Sequence, residues 1–211
     1  MVRLGAAGAL IGEGNDRRVY RHPMEPERCI KVPRYPLRGS EQNEREKLYF
    51  TRLTWRLGNW QHVPRYFGTL MTDQGEGLVY TLITDRDGQV SRTVRHYRQA
   101  DPALLASEQF RHQLLSLGQY LDRYWIMPAD LNDRNIVCQL GEEGLRLWLI
   151  DGIANPSLVP LANYWPWFAR RRIRRRFNRF LVKLTGYELL DRATAQAMQL
   201  PIMSNRRPHE K

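Results

Sequence analysis

The chain is poor in the residues that build cross-linked or metal-bound scaffolds. It has two cysteines, Cys29 and Cys138, each inside a short apolar run, RCIKV and NIVCQL. Thiols in such runs read as packing residues and exclude a disulfide framework. The five histidines show no ligand spacing, which excludes a zinc site of the usual kinds. No apolar run approaches the roughly 20 residues that span a bilayer. The opening MVRLGAAGALIGEG has one basic residue and a glycine-broken apolar piece, unlike a secretory signal. The expected location is cytoplasmic, with peripheral attachment to the inner face of the membrane as a further option. Acid is scarce as well: 33 Lys and Arg against 22 Asp and Glu leave a net charge of +11. Such an excess implies an anionic partner: a nucleotide, a nucleic acid, a lipid headgroup or a phosphorylated sugar.

What is present divides into two parts without a low-complexity linker or an internal repeat. GALIGEGNDRRVYRH reads as strand, glycine turn, strand, and RCIKV as a short strand between Pro26 and Pro33. SEQNEREKLYFTRLTWRLG opens on Ser40 and acidic residues and reads as a helix ending near Gly58. PRYFGTLMTDQGEGLVYTLIT reads as a hairpin about DQGEG. From about Pro102 the pattern turns helical, with Phe110, Leu114, Leu117, Leu121 and Tyr124 on one face. NIVCQL and LRLWLID pair across GEEG, and a basic helical stretch follows. The expected organisation is a strand-rich lobe over residues 1–84 and a helical lobe over 85–211, together one α+β domain.

The chemistry concentrates in MPADLNDRNIVCQ. Phosphoryl transfer from ATP needs an acceptor for the hydroxyl proton, oxygen ligands for Mg²⁺, a cation for the phosphates and a backbone cradle. Asp130 can take the hydroxyl proton. Asn135 offers a neutral carbonyl oxygen to Mg²⁺, and Asp151, ending the next strand, offers a hard carboxylate. Upstream, Lys31 can reach phosphate, and Cys29 shares its strand face and can line a base pocket. Among Glu41, Glu44 and Glu46 on the helix, Glu46 is the expected partner of Lys31, with Glu44 as the fallback. Gly12 and Gly14, followed by Val19, supply the phosphate-covering turn. Taken singly these features are weak. Glycine pairs mark many hairpins, Asp and Asn are common in turns, and an acidic helix start is often a solvated face.

Their order resembles the protein-kinase-like fold: glycine-rich loop, strand Lys, helix Glu, a D-x-x-x-x-N loop, then Asp-Gly. GEGNDRRV matches G-x-G-x-x-G-x-V at Gly12, Gly14 and Val19; CIK resembles A-I-K; DLNDRN resembles D-L-x-x-x-N; Asp151-Gly152 stands where D-F-G would. More narrowly, MVRL, RCIKV, PRYFGT, LVYTLI and the basic tail resemble the bacterial YrbL family, small kinase-like proteins associated with the PhoP regulatory network. The resemblance implies a bilobal α+β fold with a strand-rich N-lobe and a truncated helical C-lobe, binding ATP and Mg²⁺. Several departures bear on activity. Arg17 takes the third glycine position, Pro128-Ala129 replaces His-Arg, Asn132 replaces a frequent Lys, Gly152 follows Asp151 without a Phe, and no A-P-E element occurs. These losses weaken a peptide-substrate platform. They leave open a phosphotransferase acting on an unknown non-peptide hydroxyl acceptor, or a pseudokinase serving as a scaffold.

The tail WPWFARRRIRRRFNRFLVK carries seven Arg and one Lys and no acid. Ile173, Phe177, Phe180, Leu181 and Leu184 form one stripe. Three readings stand: a helix packed on the helical lobe, an interfacial helix anchored by Trp165 and Trp167 that lays Arg170 to Lys183 on an anionic membrane, or, less favoured, a nucleic-acid contact. The final SNRRPHEK is expected to be disordered.

Overall fold

The computed structural model describes residues 1–7, 10–153 and 166–202. A short helix, α1 (Leu4–Ala7), precedes a five-stranded antiparallel sheet of β1 (Leu10–Glu13), β2 (Arg17–Arg21), β3 (Arg28–Pro33), β4 (Tyr66–Thr72) and β5 (Gly75–Thr81). The spatial order is β1-β2-β3-β5-β4, so β3 is central. Alternation along β3 separates its two faces. Ile30 and Val32 pack with Leu4, Tyr20 and Val79 on the outer face, while Cys29 joins the main core on the other. Lys31 shares the Cys29 face, and the register sets it opposite Val19 on one side and Leu78 on the other.

The helix α2 (Pro36–Arg56) connects β3 to β4 and starts four residues before Ser40, with Pro at its first turn. Proline's fixed φ suits that position, where its missing N–H costs nothing. Phe50 of α2 packs edge-on to Tyr80 with ring centroids 5.0 Å apart, fastening the helix to the sheet.

The remainder is built on helices with a small second sheet: β6 (Arg92–Thr93), α3 (Val94–Ala100), α4 (Pro102–Ala106), α5 (Glu108–Arg123), β7 (Ile136–Gly141), β8 (Gly144–Leu149), α6 (Pro166–Gly186) and α7 (Arg192–Ala197). The helical part therefore begins with α3, earlier than Pro102. Thr93 caps α3 by accepting from the His96 N–H at 3.2 Å, and β6 pairs with β7 immediately before it. Phe110, Leu114, Leu117 and Leu121 of α5 are buried, and each contributes roughly 1.5–3 kcal/mol through burial.

The stripe on α6 is core. Ile173, Phe177, Phe180, Leu181 and Leu184 are all buried. A Cβ on Gly118 of α5 would collide with the Phe177 ring, so glycine is what lets the two helices approach. Arg174 fixes the same contact from its flank, donating to both oxygens of Asp122 at 2.9 and 2.8 Å. Trp165, the A-P-E region at 154–165 and the final eight residues lie outside the described residues.

Candidate functional site

The β-sheet and the helical part enclose a cavity of about 410 Å³ lined mainly by apolar groups. Gly12, Val19 and Cys29 form part of its roof, Val137 and Ile150 approach from below, and Lys31 stands at one end. The expected base-pocket residues Val19 and Cys29 thus share one wall with Gly12. Gly14 lies apart from the lining and closes the β1–β2 turn, donating its N–H to the Arg17 carbonyl at 2.8 Å. Burial pushes the Cys29 thiol up to about 11, against the smaller opposing pull of Lys31, so it is an inert wall group.

Lys31 leads to a charge network. Its ammonium lies 3.8 Å from Glu46 and 3.9 Å from Asp151, and it donates to the Ile150 carbonyl at 2.6 Å. Glu46 also accepts from the Tyr80 hydroxyl at 2.8 Å. The unforeseen member is Arg17. Arg17 as a residue is only 5% exposed, and its guanidinium donates to Glu46 at 2.5 Å and to Asp151 through its other terminal nitrogen. The cation at the third glycine position therefore clasps the helix carboxylate and the strand-end carboxylate together. Burial lowers the Arg17 pKa, but Glu46 and Asp151 outweigh that and raise it. Burial likewise pushes Asp151 upward, while Lys31 and Arg17 more than reverse this and hold it at about 2.

The loop between α5 and β7 carries the second half of the site. Asp130 is exposed, and its carboxylate accepts from the Asn132 amide at 2.5 Å. The Asn132 oxygen accepts the N–H groups of Arg134 and Asn135 at 2.8 and 3.1 Å. Asn132, standing where a Lys is frequent, thus shapes the loop and orients Asp130. Ala129 donates to the Gly152 carbonyl at 2.6 Å, which knits the Asp130 loop to the Asp151 segment. Gly152 has φ +70°, and a Cβ there would meet the Asp130 carbonyl oxygen at 2.5 Å, so this approach requires glycine. Arg176 of α6 donates to the Pro128 carbonyl, bracing the loop at the position where His-Arg is missing.

The donor set fits a hard divalent cation held together with phosphate oxygens. Asn135 donates its amide N–H to the Asp130 carbonyl at 3.0 Å, which leaves its side-chain oxygen for a ligand. Asp151 supplies an ionised carboxylate. No cluster of three or more His, Cys, Asp or Glu side chains able to hold a metal occurs among the described residues. Two protein oxygens plus phosphates are the arrangement Mg²⁺ commonly takes.

Beside Asp130 opens a second cavity of about 300 Å³, lined by Arg95, Arg98, Asp130, Asn132, Asp133, Arg134, Lys183 and Tyr187. Lys31 and Ile150 line the first cavity and Asp130 the second, and Asp151 lies 3.9 Å from Lys31.

A β-sheet carrying a lysine salt-linked to a helix glutamate, set over a helical body with an Asp–Asn loop and a strand-end aspartate, is the protein-kinase-like fold. A double mutant of the Mycobacterium tuberculosis PknI kinase domain superposes with a TM-score of 0.53 at 16% identity, over 92% of this chain and 94% of that one. The profile described as PhoP regulatory network protein YrbL matches residues 5–185. The YrbL proteins of Escherichia coli K12 and Shigella flexneri are each 34% identical over 185 residues, covering 87% of this chain and 88% of theirs. The chain belongs to the YrbL family.

Proposed function

We propose that this protein is a phosphotransferase that binds ATP and Mg²⁺ and acts on a non-peptide hydroxyl compound in a PhoP-linked regulatory context. The reading is carried by one observation: Lys31 lies within 4 Å of both Glu46 and Asp151, and the Asp130–Asn135 loop is hydrogen-bonded to the Asp151–Gly152 segment. The adenine ring takes the cavity under Val19 and Cys29. Lys31, braced by Glu46, holds the α- and β-phosphates, and the backbone around Gly12 and Gly14 covers them. Asn135 and Asp151 are the residues that would hold Mg²⁺, which would supply charge neutralisation at the phosphates. Asp130 accepts the proton of the attacking hydroxyl.

The test is calorimetric titration with ATP, with and without Mg²⁺, beside transfer of labelled γ-phosphate. Wild-type protein binds ATP with a Mg²⁺-dependent affinity. Asp130→Asn retains binding and loses transfer by about 10²–10⁴-fold. Absence of ATP binding by the wild type eliminates the proposal.

The Arg17 clasp favours a second reading, a nucleotide-gated scaffold without turnover, because it already engages Glu46 and Asp151. On that reading ATP binds with no Mg²⁺ dependence and no acceptor is labelled. Attachment of α6 to an anionic membrane has less support, since the apolar stripe that lipid would take is packed on α5. Among the described residues no helix is long and apolar enough to cross a membrane.

A further inference from the structure

Four cations and two carboxylates line the cavity beside Asp130. Its cationic wall is assembled from three separated stretches: α3 gives Arg95 and Arg98, the loop before β7 gives Arg134, and the last turn of α6 gives Lys183. Asp133 is buried, takes an ion pair from Arg98 at 3.2 Å, and accepts the Arg95 backbone N–H through its carbonyl at 2.8 Å. The Arg98 guanidinium also lies 4.1 Å from the centroid of the Tyr187 ring. Arg98 is thereby fixed in place, and α3, the loop and the end of α6 are tied around the opening. The side chains of Arg95, Arg134 and Lys183 make no ion pair among the described residues. Asp130 shares the lining with them and accepts from Asn132.

We infer that this cavity is the acceptor site and that it selects a small hydroxyl compound already carrying a phosphate group. The inference rests on the phosphotransferase reading for the word acceptor, but the ligand class follows from the cavity itself. Guanidinium groups converging from several directions suit the oxygens of a phosphate better than a neutral polyol, whose hydroxyls would leave those cations uncompensated. A volume of about 300 Å³ is at the small end for ligand pockets and fits a monosaccharide phosphate or a glycerol-phosphate headgroup rather than a folded protein surface. In the reaction, the acceptor oxygen forms a bond to the γ-phosphorus as the bond from that phosphorus to the β,γ-bridging oxygen breaks. ADP leaves with the electron pair, and the hydroxyl proton passes to the Asp130 carboxylate and then to water. The basic residue at the end of α6 acts in this account as a wall of the substrate site.

Calorimetry with glucose 6-phosphate, sn-glycerol 3-phosphate and vesicles containing phosphatidylglycerol separates a soluble from a lipid source. Glucose, glycerol and phosphatidylcholine vesicles are the neutral counterparts. The expected result is binding of at least one phosphate-bearing probe and of none of the counterparts. Arg95→Gln with Lys183→Gln should weaken that binding about tenfold or more while ATP affinity stays unchanged. The exposed Arg134→Gln should weaken it in the same direction and serves if the double variant fails to fold. Failure of all three phosphate-bearing probes to bind, or binding indifferent to these substitutions, overturns the inference. Equal transfer of labelled phosphate to glucose and glucose 6-phosphate overturns it while leaving the phosphotransferase standing. Charge-selective binding, sensitive to the substitutions but without transfer to any probe, removes the phosphotransferase reading and supports the assigned ligand class.

Discussion

The region under the β-sheet and the cavity beside Asp130 treat positive charge in opposite ways. Under the β-sheet, Lys31 and Arg17 are buried and matched to Glu46 and Asp151. Beside Asp130, Arg95, Arg134 and Lys183 face an opening with no ion-pair partner among the described residues. A buried cation that is already matched is part of the fold, and its removal strands a carboxylate in a poorly solvated place. A cation left unmatched at an opening costs the fold little and remains available to an incoming anion. The same residue type therefore serves architecture in one region and recognition in the other.

Substitution tests that contrast most strongly. Arg17→Ala should cost about 3–5 kcal/mol of unfolding free energy, the usual consequence of stranding one member of a buried pair. Urea denaturation of the two proteins measures it. Arg95→Gln or Lys183→Gln should stay within about 0.5 kcal/mol of wild type. An Arg17→Ala cost below about 1 kcal/mol would mean that Lys31 alone balances Glu46, and the clasp would lose its architectural role.

Acid sharpens the comparison next. The cations around Asp151 hold its pKa at about 2, below the value of about 3.9 for an unfolded aspartate. A depressed carboxylate contributes stability that is fully present above the unfolded pKa and is lost as pH falls through the folded one. The loss should therefore run from about pH 4 to about pH 2. The side chain is 42% exposed, so solvent screens part of the effect. Asp151→Asn should flatten this segment of the pH–stability curve in chemical denaturation. Unchanged curvature would place the acid sensitivity elsewhere.

Why some of this was legible in one chain and some was not follows from how each residue acts. Lys31, Asp130, Asn135 and Asp151 announce themselves because each sits in a short local pattern, a β-branched strand or a polar turn bounded by apolar strands. Glu46 needed a choice among three acids on one helix, and position on the helix face brings it to Lys31 and Tyr80. Arg17 was visible as a departure from glycine, but its partners are 29 and 134 residues away, and no local pattern encodes that. Arg176 likewise meets the Pro128 carbonyl only once α6 has packed on α5. The α6 stripe reads equally well as core or as membrane surface from periodicity alone; Gly118, in another helix, decides it by admitting the Phe177 ring. The start of α3 carries no local signal, because Thr93 caps it from inside a two-residue strand that exists only through pairing with β7.

Salt should give the smallest and most selective difference between the cavities. The lining beneath the sheet is mostly apolar, so adenosine, which has a base but no phosphate, should bind through contacts that ions barely screen. The cavity beside Asp130 would hold a phosphate by exposed cations, and at 0.1 M salt the screening length is about 10 Å, falling to about 3 Å at 1 M. Raising salt from about 0.1 M to 1 M should therefore leave adenosine affinity within about twofold and weaken glucose 6-phosphate several-fold. Parallel calorimetric titrations at the two salt concentrations provide the readout. Equal responses of both ligands would erase the distinction between matched and unmatched charge. A salt response confined to glucose 6-phosphate, and reduced in Arg95→Gln, would tie the anion to the wall formed by α3 and α6.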